Sequence, residues 1–144
     1  MNRVIIDAMY SLGKSDAKDL RMRAHSMDGT AIIAEDSKIP DFVNKDYSTW
    51  PAGAPVQDDG QVYTLIQPYD ATVHTDRPAK LPALWSVRHT KDPERAKAWA
   101  EPNGTSGMYL KDECYLHHDG RARRCLAEQT VYDADAMPDY WEVA

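Results

Sequence analysis

The segments APVQDDGQVYTLIQ (residues 54–67) and ECYLHHDGRARRCLA (residues 113–127) decide the fold of this 144-residue chain. Each places an Asp-Gly pair between two short strand-like runs, and Asp-Gly is favoured in type I′ hairpin turns because both central residues need a positive φ. Each is followed by a segment that runs from proline to tryptophan, PALW at residues 82–85 and PDYW at residues 138–141. The repetition predicts two small units that share one plan, each centred on an antiparallel hairpin.

Two-residue turns would fix which side chains oppose one another across each hairpin. The predicted pairs are Val56–Tyr63 and Ala54–Leu65 in the first hairpin, and Leu116–Arg123 and Cys114–Cys125 in the second. Opposed residues lie on one face of the ladder, and their α-carbons are ~5.5 Å apart in a hydrogen-bonded pair, which a disulfide accepts. Because a reducing cytoplasm keeps thiols reduced, we expect Cys114 and Cys125 to be buried free thiols.

Residues 1–40 are predicted to be helical. A first apolar face at helical spacing consists of Val4, Ile5, Ala8, Met9 and Leu12. Gly13 is expected to end this helix, and Ser15 is expected to cap the next one. The second helix carries apolar residues at spacings of three and four, which are Ala17, Leu20, Ala24 and Met27. We interpret this stripe as a packing face; the alternative is a short oligomer seam, although a coiled coil normally needs three or four heptads.

A third helix is expected to begin near Asp28 or Thr30, to stop at Pro40, and to bury in part Ile32, Ile33 and Ile39. From residue 41 onward, aromatics, prolines and turn signals replace the helical period, which indicates a boundary. Asp92-Pro93 is expected to start one or two helical turns in the connection between Thr90 and Gly107. The predicted organisation is an α+β fold with a helical attachment or oligomerisation segment (1–40), a first unit (41–90) and a second unit (91–144).

The composition argues against several classes of function. It is 42% hydrophobic and 28% charged, which is typical of a soluble globular protein. The net charge of -6 argues against a nucleic-acid partner, because such partners need clustered Lys and Arg, and the one basic cluster, residues 121–124, is interpreted as a solvated strand. No apolar stretch approaches the ~20 residues of a membrane span, and Asp7 interrupts the apolar run near the N-terminus. Neither membrane insertion nor an export signal is expected.

The sequence offers no motif for catalysis, for a cofactor or for a metal ion. The patterns G-x-S-x-G and H-E-x-x-H and a phosphate-binding glycine loop are all absent. His117, His118 and Asp119 are interpreted as polar residues that flank a turn, because adjacent strand residues point to opposite faces and two such imidazoles would not share one ion. The acidic pairs Asp58-Asp59 and Glu35-Asp36 are placed at turns and helix ends. We therefore expect a protein without enzymatic activity, cofactor or metal.

In their order and repetition, these motifs resemble the chitin- and cellulose-binding modules of families five and twelve, in the tandem form found in tailed bacteriophages and prophages. The second unit shares Trp99, Pro102, Gly104, Tyr109, His118-Asp119-Gly120, Cys125-Leu126, Pro138 and Trp141 with that pattern. The first unit shares Phe42, Tyr47, Gly53, Val56, Gly60, Tyr63, Gln67 and residues 82–85. Residues 20–42 are similar to the helical segment that precedes such modules. Arg123 departs from the pattern at the hairpin aromatic, and Asp112 departs from it near a usual glycine.

The resemblance implies two antiparallel, three-stranded carbohydrate-binding modules whose aromatic side chains stack on the C–H faces of sugar rings. The residues implied as stacking platforms are Trp50, Tyr63, Trp85, Trp99, Tyr109 and Trp141. Modules of roughly 45 residues commonly use one or two aromatics as their core, so about half of the six are expected to be packed. Trp50 and Trp85 are expected to be exposed, and Tyr63 and Trp141 are expected to be packed.

The resemblance also implies a role as a phage virion component, in a head fibre, a decoration protein or a tail fibre, assembled in the host cytoplasm. The implied partners are other virion proteins, such as those of the capsid or tail, and a cell-surface or insoluble polysaccharide. A homo-oligomer, such as a trimer, would fit fibre symmetry. Two alternatives remain: a free-standing carbohydrate-binding accessory protein, or modules that serve only as protein–protein packing units, which Arg123 and the shortened first unit favour.

Overall fold

Two short helices begin the part of the chain that the computed structural model describes, which comprises residues 15–103 and 106–144. Helix α1 includes residues 15–23, so Ser15, predicted as its cap, is already helical. Helix α2 spans Gly29–Ile33, and the carboxylate of Asp28 caps it by accepting the Ala31 N–H at 2.8 Å. This confirms the predicted start of the third helix, although α2 is shorter than expected and a 3-10 turn at Asp36–Lys38 precedes Pro40. The helix predicted to contain Val4 to Leu12, its cap Gly13, and Gly104 lie outside the described residues.

Both helices pack on one face of the first sheet. Their apolar side chains join one strand residue in a buried cluster of Leu20, Ala24, Ile32, Ile33, Ile39 and Val62. Met27 packs against this cluster, so the predicted stripe acts here as a packing face. Gly29 makes the close approach between α2 and the sheet feasible, because an added Cβ would lie 2.2 Å from the His89 carbonyl oxygen.

The first sheet contains β1 (Pro55–Asp58), β2 (Gln61–Leu65) and β3 (Trp85–Arg88), in the antiparallel order β1-β2-β3. Asp59 and Gly60 have φ values of 50° and 76°, as a type I′ turn requires. Val56 pairs with Tyr63, and the Leu65 N–H donates to the Ala54 carbonyl at 2.9 Å. The predicted turn and register of this hairpin are therefore confirmed.

An aromatic cluster covers the other face of the first sheet. Its buried members are Tyr47, Ala54, Val56, Tyr63, Leu65, Tyr69, Ala71 and Trp85. The indole N–H of Trp85 donates to the Tyr69 hydroxyl at 2.8 Å, so the one polar group of this buried indole is satisfied. Because both faces of the sheet are covered, every residue of β2 is buried.

The second unit contains two small antiparallel sheets. β4 (Tyr109–Leu110) pairs with β7 (Gln129–Thr130), and β5 (Cys114–Leu116), β6 (Ala122–Cys125) and β8 (Trp141–Val143) form a sheet in the order β5-β6-β8. Trp85 begins β3 and pairs with Leu65, just as Trp141 begins β8 and pairs with Cys125. The third strand of each three-stranded sheet therefore begins at the tryptophan that ends the proline-to-tryptophan segment. The described chain is a small α+β fold, as predicted.

The second hairpin differs from its prediction by one residue. The His117 carbonyl accepts the Gly120 N–H at 2.9 Å, the His117 N–H donates to the Arg121 carbonyl at 3.1 Å, and within residues 117–121 only Gly120 has a positive φ. Three residues therefore form the turn, a geometry that needs a glycine only at its last position. Leu116 consequently pairs with Ala122, so the predicted pairing of Leu116 with Arg123 is wrong.

The same shift separates the two cysteines. Cys114 pairs with Arg124, the neighbour of Cys125, so the predicted pairing of the cysteines is wrong and their side chains lie on opposite faces of the sheet. Cys125 belongs to the buried cluster formed with Tyr109, Tyr115 and Trp141. Both cysteines are buried and unbonded, which confirms the expected free thiols.

The connection between the units contains one short helical turn among its described residues. Asp92 caps one 3-10 turn at Pro93–Arg95 by accepting the Glu94 N–H at 3.0 Å, which confirms the predicted cap and proline. Beyond it, Ala98 bridges to Leu116 of β5. Within residues 15–103 and 106–144, no helix has the length and apolar character needed to cross a bilayer. The domain boundaries at residues 40 and 90 stay predictions.

Candidate ligand-binding cleft

A cleft of about 580 Å³ lies between the first sheet and the connection to the second unit; we call it the inter-unit cleft. Three of the six aromatic residues predicted as stacking platforms line it, which are Tyr63, Trp85 and Trp99. Gln61 from the start of β2 and two carboxylates, Asp59 and Glu101, also line it. The cleft therefore combines aromatic surface with hydrogen-bonding groups, the mixture that small-ligand sites use.

Trp99 is the partly exposed aromatic side chain of this cleft. Its ring stacks on Tyr109, with centroids 4.6 Å apart and an angle of 14° between the planes, and its indole N–H donates to Glu101 at 2.8 Å. Edge contacts with Tyr115 and Trp141 complete its packing. These contacts fix the indole in one orientation, so a ligand would meet a preorganised aromatic surface.

Gln61 is a buried side chain with one unused acceptor. Its Nε2 donates to the Ala98 carbonyl at 2.6 Å, whereas its Oε1 is buried without a hydrogen-bond partner among the described residues. A buried polar atom left unpaired costs about 1–3 kcal/mol, so the position calls for a donor from a ligand or water. A glutamine after an Asp-Gly turn carries no recognisable motif, so the sequence alone does not single out Gln61.

Four of the six predicted platform residues belong to the cores of their units. Tyr63, Trp85, Tyr109 and Trp141 are 7%, 2%, 1% and 6% exposed. The expectations for Tyr63 and Trp141 are confirmed, whereas the expected exposure of Trp85 is wrong. Trp85 starts β3 directly over the aromatic cluster, and its hydrogen bond to Tyr69 allows even its polar N–H to be buried.

Trp50 is half-buried, and its ring carries two cations. The guanidinium carbon of Arg21 lies 4.4 Å from the ring centroid, and Lys45 Nζ lies 4.3 Å from it. Burial lowers the pKa of both cations, and the charge of Arg21 adds to the lowering of the Lys45 pKa. Neither cation forms an ion pair with a carboxylate among the described residues. Trp50 is therefore a cation–π partner in this structure and not an unobstructed platform for a neutral sugar.

Comparison with known proteins leaves the family of this chain unassigned. The proposed relationship to carbohydrate-binding modules consequently depends on the motifs and on the geometry described above. No family model matches the chain, and no curated protein gives a significant match to it.

Proposed function

We propose that this chain is a non-enzymatic carbohydrate-binding protein whose binding site is the inter-unit cleft. The observation that carries the proposal is that Trp99, with its fixed indole, and Gln61, whose buried Oε1 is unpaired, line the same cleft. An indole packs against the C–H face of a pyranose ring, and a sugar hydroxyl can donate to the amide oxygen. Asp59 and Glu101 supply further acceptors for hydroxyl groups at the same surface.

The proposal extends to a place in a bacteriophage or prophage virion, as a head-fibre, decoration or tail-fibre component. The support for it is the ordered series of motifs shared with tandem modules of phage proteins. The N-terminal helices would attach the protein to capsid or tail proteins or hold an oligomer such as a trimer, and the two units would face a cell-surface polysaccharide. Light scattering tests the oligomeric state, and a monomer at working concentration would contradict the proposed oligomer.

The test of glycan binding begins with a glycan array and pull-downs on insoluble chitin and peptidoglycan. Gln61→Met removes the unpaired oxygen, and with it the hydrogen bond to Ala98, with little change in side-chain volume, so we expect retention to fall by tenfold or more while the protein stays folded. Trp99→Phe keeps the stack on Tyr109 but reduces the aromatic surface, and it should also weaken binding. Gln129→Met is the matched control, since Gln129 is exposed in β7 and does not line the cleft.

Three outcomes would change the proposal. Retention that is unchanged in both cleft variants would place the glycan elsewhere. Release of reducing ends from a bound polysaccharide, lost in Asp59→Asn or Glu101→Gln, would show an enzyme. Retention by no glycan would favour the use of the units as packing modules in a virion.

The packing role is favoured by the burial of four predicted platform residues and by Arg123. The guanidinium of Arg123, at the position of the family's hairpin aromatic, donates to Asp119 at 2.6 Å and holds the pKa of that carboxyl well below its usual range.

A further inference from the structure

Three side chains outside the proposed glycan site, those of His117, His118 and Asp135, lie close together on the second unit. His117 Nε2 lies 3.3 Å from Asp135 Oδ1, and His118 Nε2 lies 2.7 Å from Asp135 Oδ2. Their candidate ligand atoms all lie within 4.8 Å of one another. Ligands at about 2.0–2.1 Å from a tetrahedral ion are roughly 3.3–3.4 Å apart, so small side-chain rotations would bring the three around one ion.

The prediction that His117 and His118 point to opposite faces is wrong, because both histidines lie beyond the end of β5. β5 ends at Leu116, His117 closes the hairpin opposite Arg121, and His118 is the first of the three turn residues, so strand alternation does not separate the two imidazoles. Their ring centroids are 3.9 Å apart. The three-residue turn therefore directs both imidazoles toward Asp135, on the loop between β7 and β8.

Further hydrogen bonds fix the orientation of His117 and of the loop that carries Asp135. His117 is 7% exposed, and its Nδ1 lies 2.8 Å from the Tyr115 hydroxyl, whose oxygen also accepts the Ala134 N–H at 3.0 Å. If Nδ1 donates its proton to that oxygen, the lone pair of Nε2 is free for an ion, the arrangement that metal-binding histidines use. Asp133 accepts the backbone N–H groups of Asp135 and Ala136 at 3.1 and 3.0 Å, which fixes the loop.

We propose that His117, His118 and Asp135 bind one divalent transition-metal ion of the zinc, cobalt or nickel class. Imidazole nitrogen selects such ions over Mg²⁺ and Ca²⁺, which prefer oxygen ligands only. One buried and two exposed ligands leave a position open to water. The ion would link the β5–β6 turn to the loop before β8 and so stabilise the second unit without a role in the inter-unit cleft.

The test uses the full chain, free of affinity tags and treated with a chelator that is then removed. Titration with Zn²⁺ by calorimetry should give one saturable site, and Co²⁺ should give the visible spectrum of a four-coordinate site with nitrogen and oxygen ligands. His118→Gln and Asp135→Asn change exposed side chains and should weaken binding tenfold or more. His74→Gln, at an exposed histidine of the first unit, is the matched control and should change the affinity less than twofold.

Nuclear magnetic resonance separates this site from adventitious binding. Co²⁺ should shift or broaden the ring resonances of His117 and His118 and leave those of His25 and His74 unchanged. Zinc affinity that is equal in His118→Gln, Asp135→Asn and the wild type would overturn the proposal. The absence of saturable binding, or a sulfur-to-cobalt charge-transfer band that assigns the ion to the cysteines, would overturn it as well.

Discussion

We predict that the burial of His89 makes the free energy of unfolding depend on pH between about pH 6.5 and pH 4. It follows β3, its ring lies 3.6 Å from the ring of Tyr109, and its Nε2 donates to the Gly107 carbonyl at 2.8 Å. Burial between the two units lowers the pKa of His89 to about 4, with a smaller contribution from the Arg88 charge, while the hydrogen bond to Gly107 opposes the shift. The folded protein therefore keeps His89 neutral at pH values where the unfolded chain binds a proton.

The sign and size of this pH dependence follow from the pKa values of His89 in the folded and unfolded states. The unfolded histidine titrates near its ordinary value of 6.5, so the unfolded state binds more protons between pH 6.5 and pH 4. The free energy of unfolding then falls as the pH falls through this window and levels off below it. At about 1.4 kcal/mol per pKa unit the full loss is about 3 kcal/mol, of which about 2 kcal/mol is lost by pH 5.

Urea unfolding at pH 8, 7, 6 and 5 measures this loss. His89→Gln keeps an N–H donor for Gly107 but cannot titrate, so the wild type should lose about 2 kcal/mol more than this variant between pH 8 and pH 5. The loss in the wild type must be compared with the loss in His89→Gln, because Glu113 also titrates in this window. Burial raises the pKa of Glu113, so its contribution to the free energy of unfolding changes with pH in the opposite direction. His74→Gln should follow the wild type. Equal pH slopes for the wild type and His89→Gln would refute the reasoning.

Three further predictions concern two glycines and the thiols. Gly29→Ala should lower the free energy of unfolding by roughly 1–3 kcal/mol or more, since its methyl group would collide with the His89 carbonyl oxygen. Gly60→Ala meets no neighbouring atom but keeps a φ of 76°, so it should cost only about 1–2 kcal/mol; urea unfolding that ranks it as the more damaging variant would contradict this. Cys114 and Cys125, whose pKa values burial raises, should react slowly with iodoacetamide until the protein unfolds. The intact mass of the protein should not change on reduction, and a mass increase would reveal a disulfide.

Sequence alone determined the features that depend on a few neighbouring residues. Asp59-Gly60 specified a two-residue turn because both positions adopt a positive φ, and the turn fixed the register of the whole first hairpin. Asp28 specified the start of α2 through one capping bond. The family resemblance implied a third strand in each unit, and these strands, β3 and β8, begin at the tryptophans of the two proline-to-tryptophan segments.

Only the tertiary structure decided how the aromatic and histidine side chains are used. Trp85 and Trp99 both line the inter-unit cleft, yet Trp85 is buried and donates its indole N–H to Tyr69, whereas Trp99 is partly exposed. His117 approaches Asp135 because the hairpin closes with a three-residue turn, whereas the same Asp-Gly pair forms a two-residue turn in the first hairpin. The exposure of a side chain and its contacts depend on which segments, distant in the sequence, pack together. No short sequence motif encodes those long-range contacts.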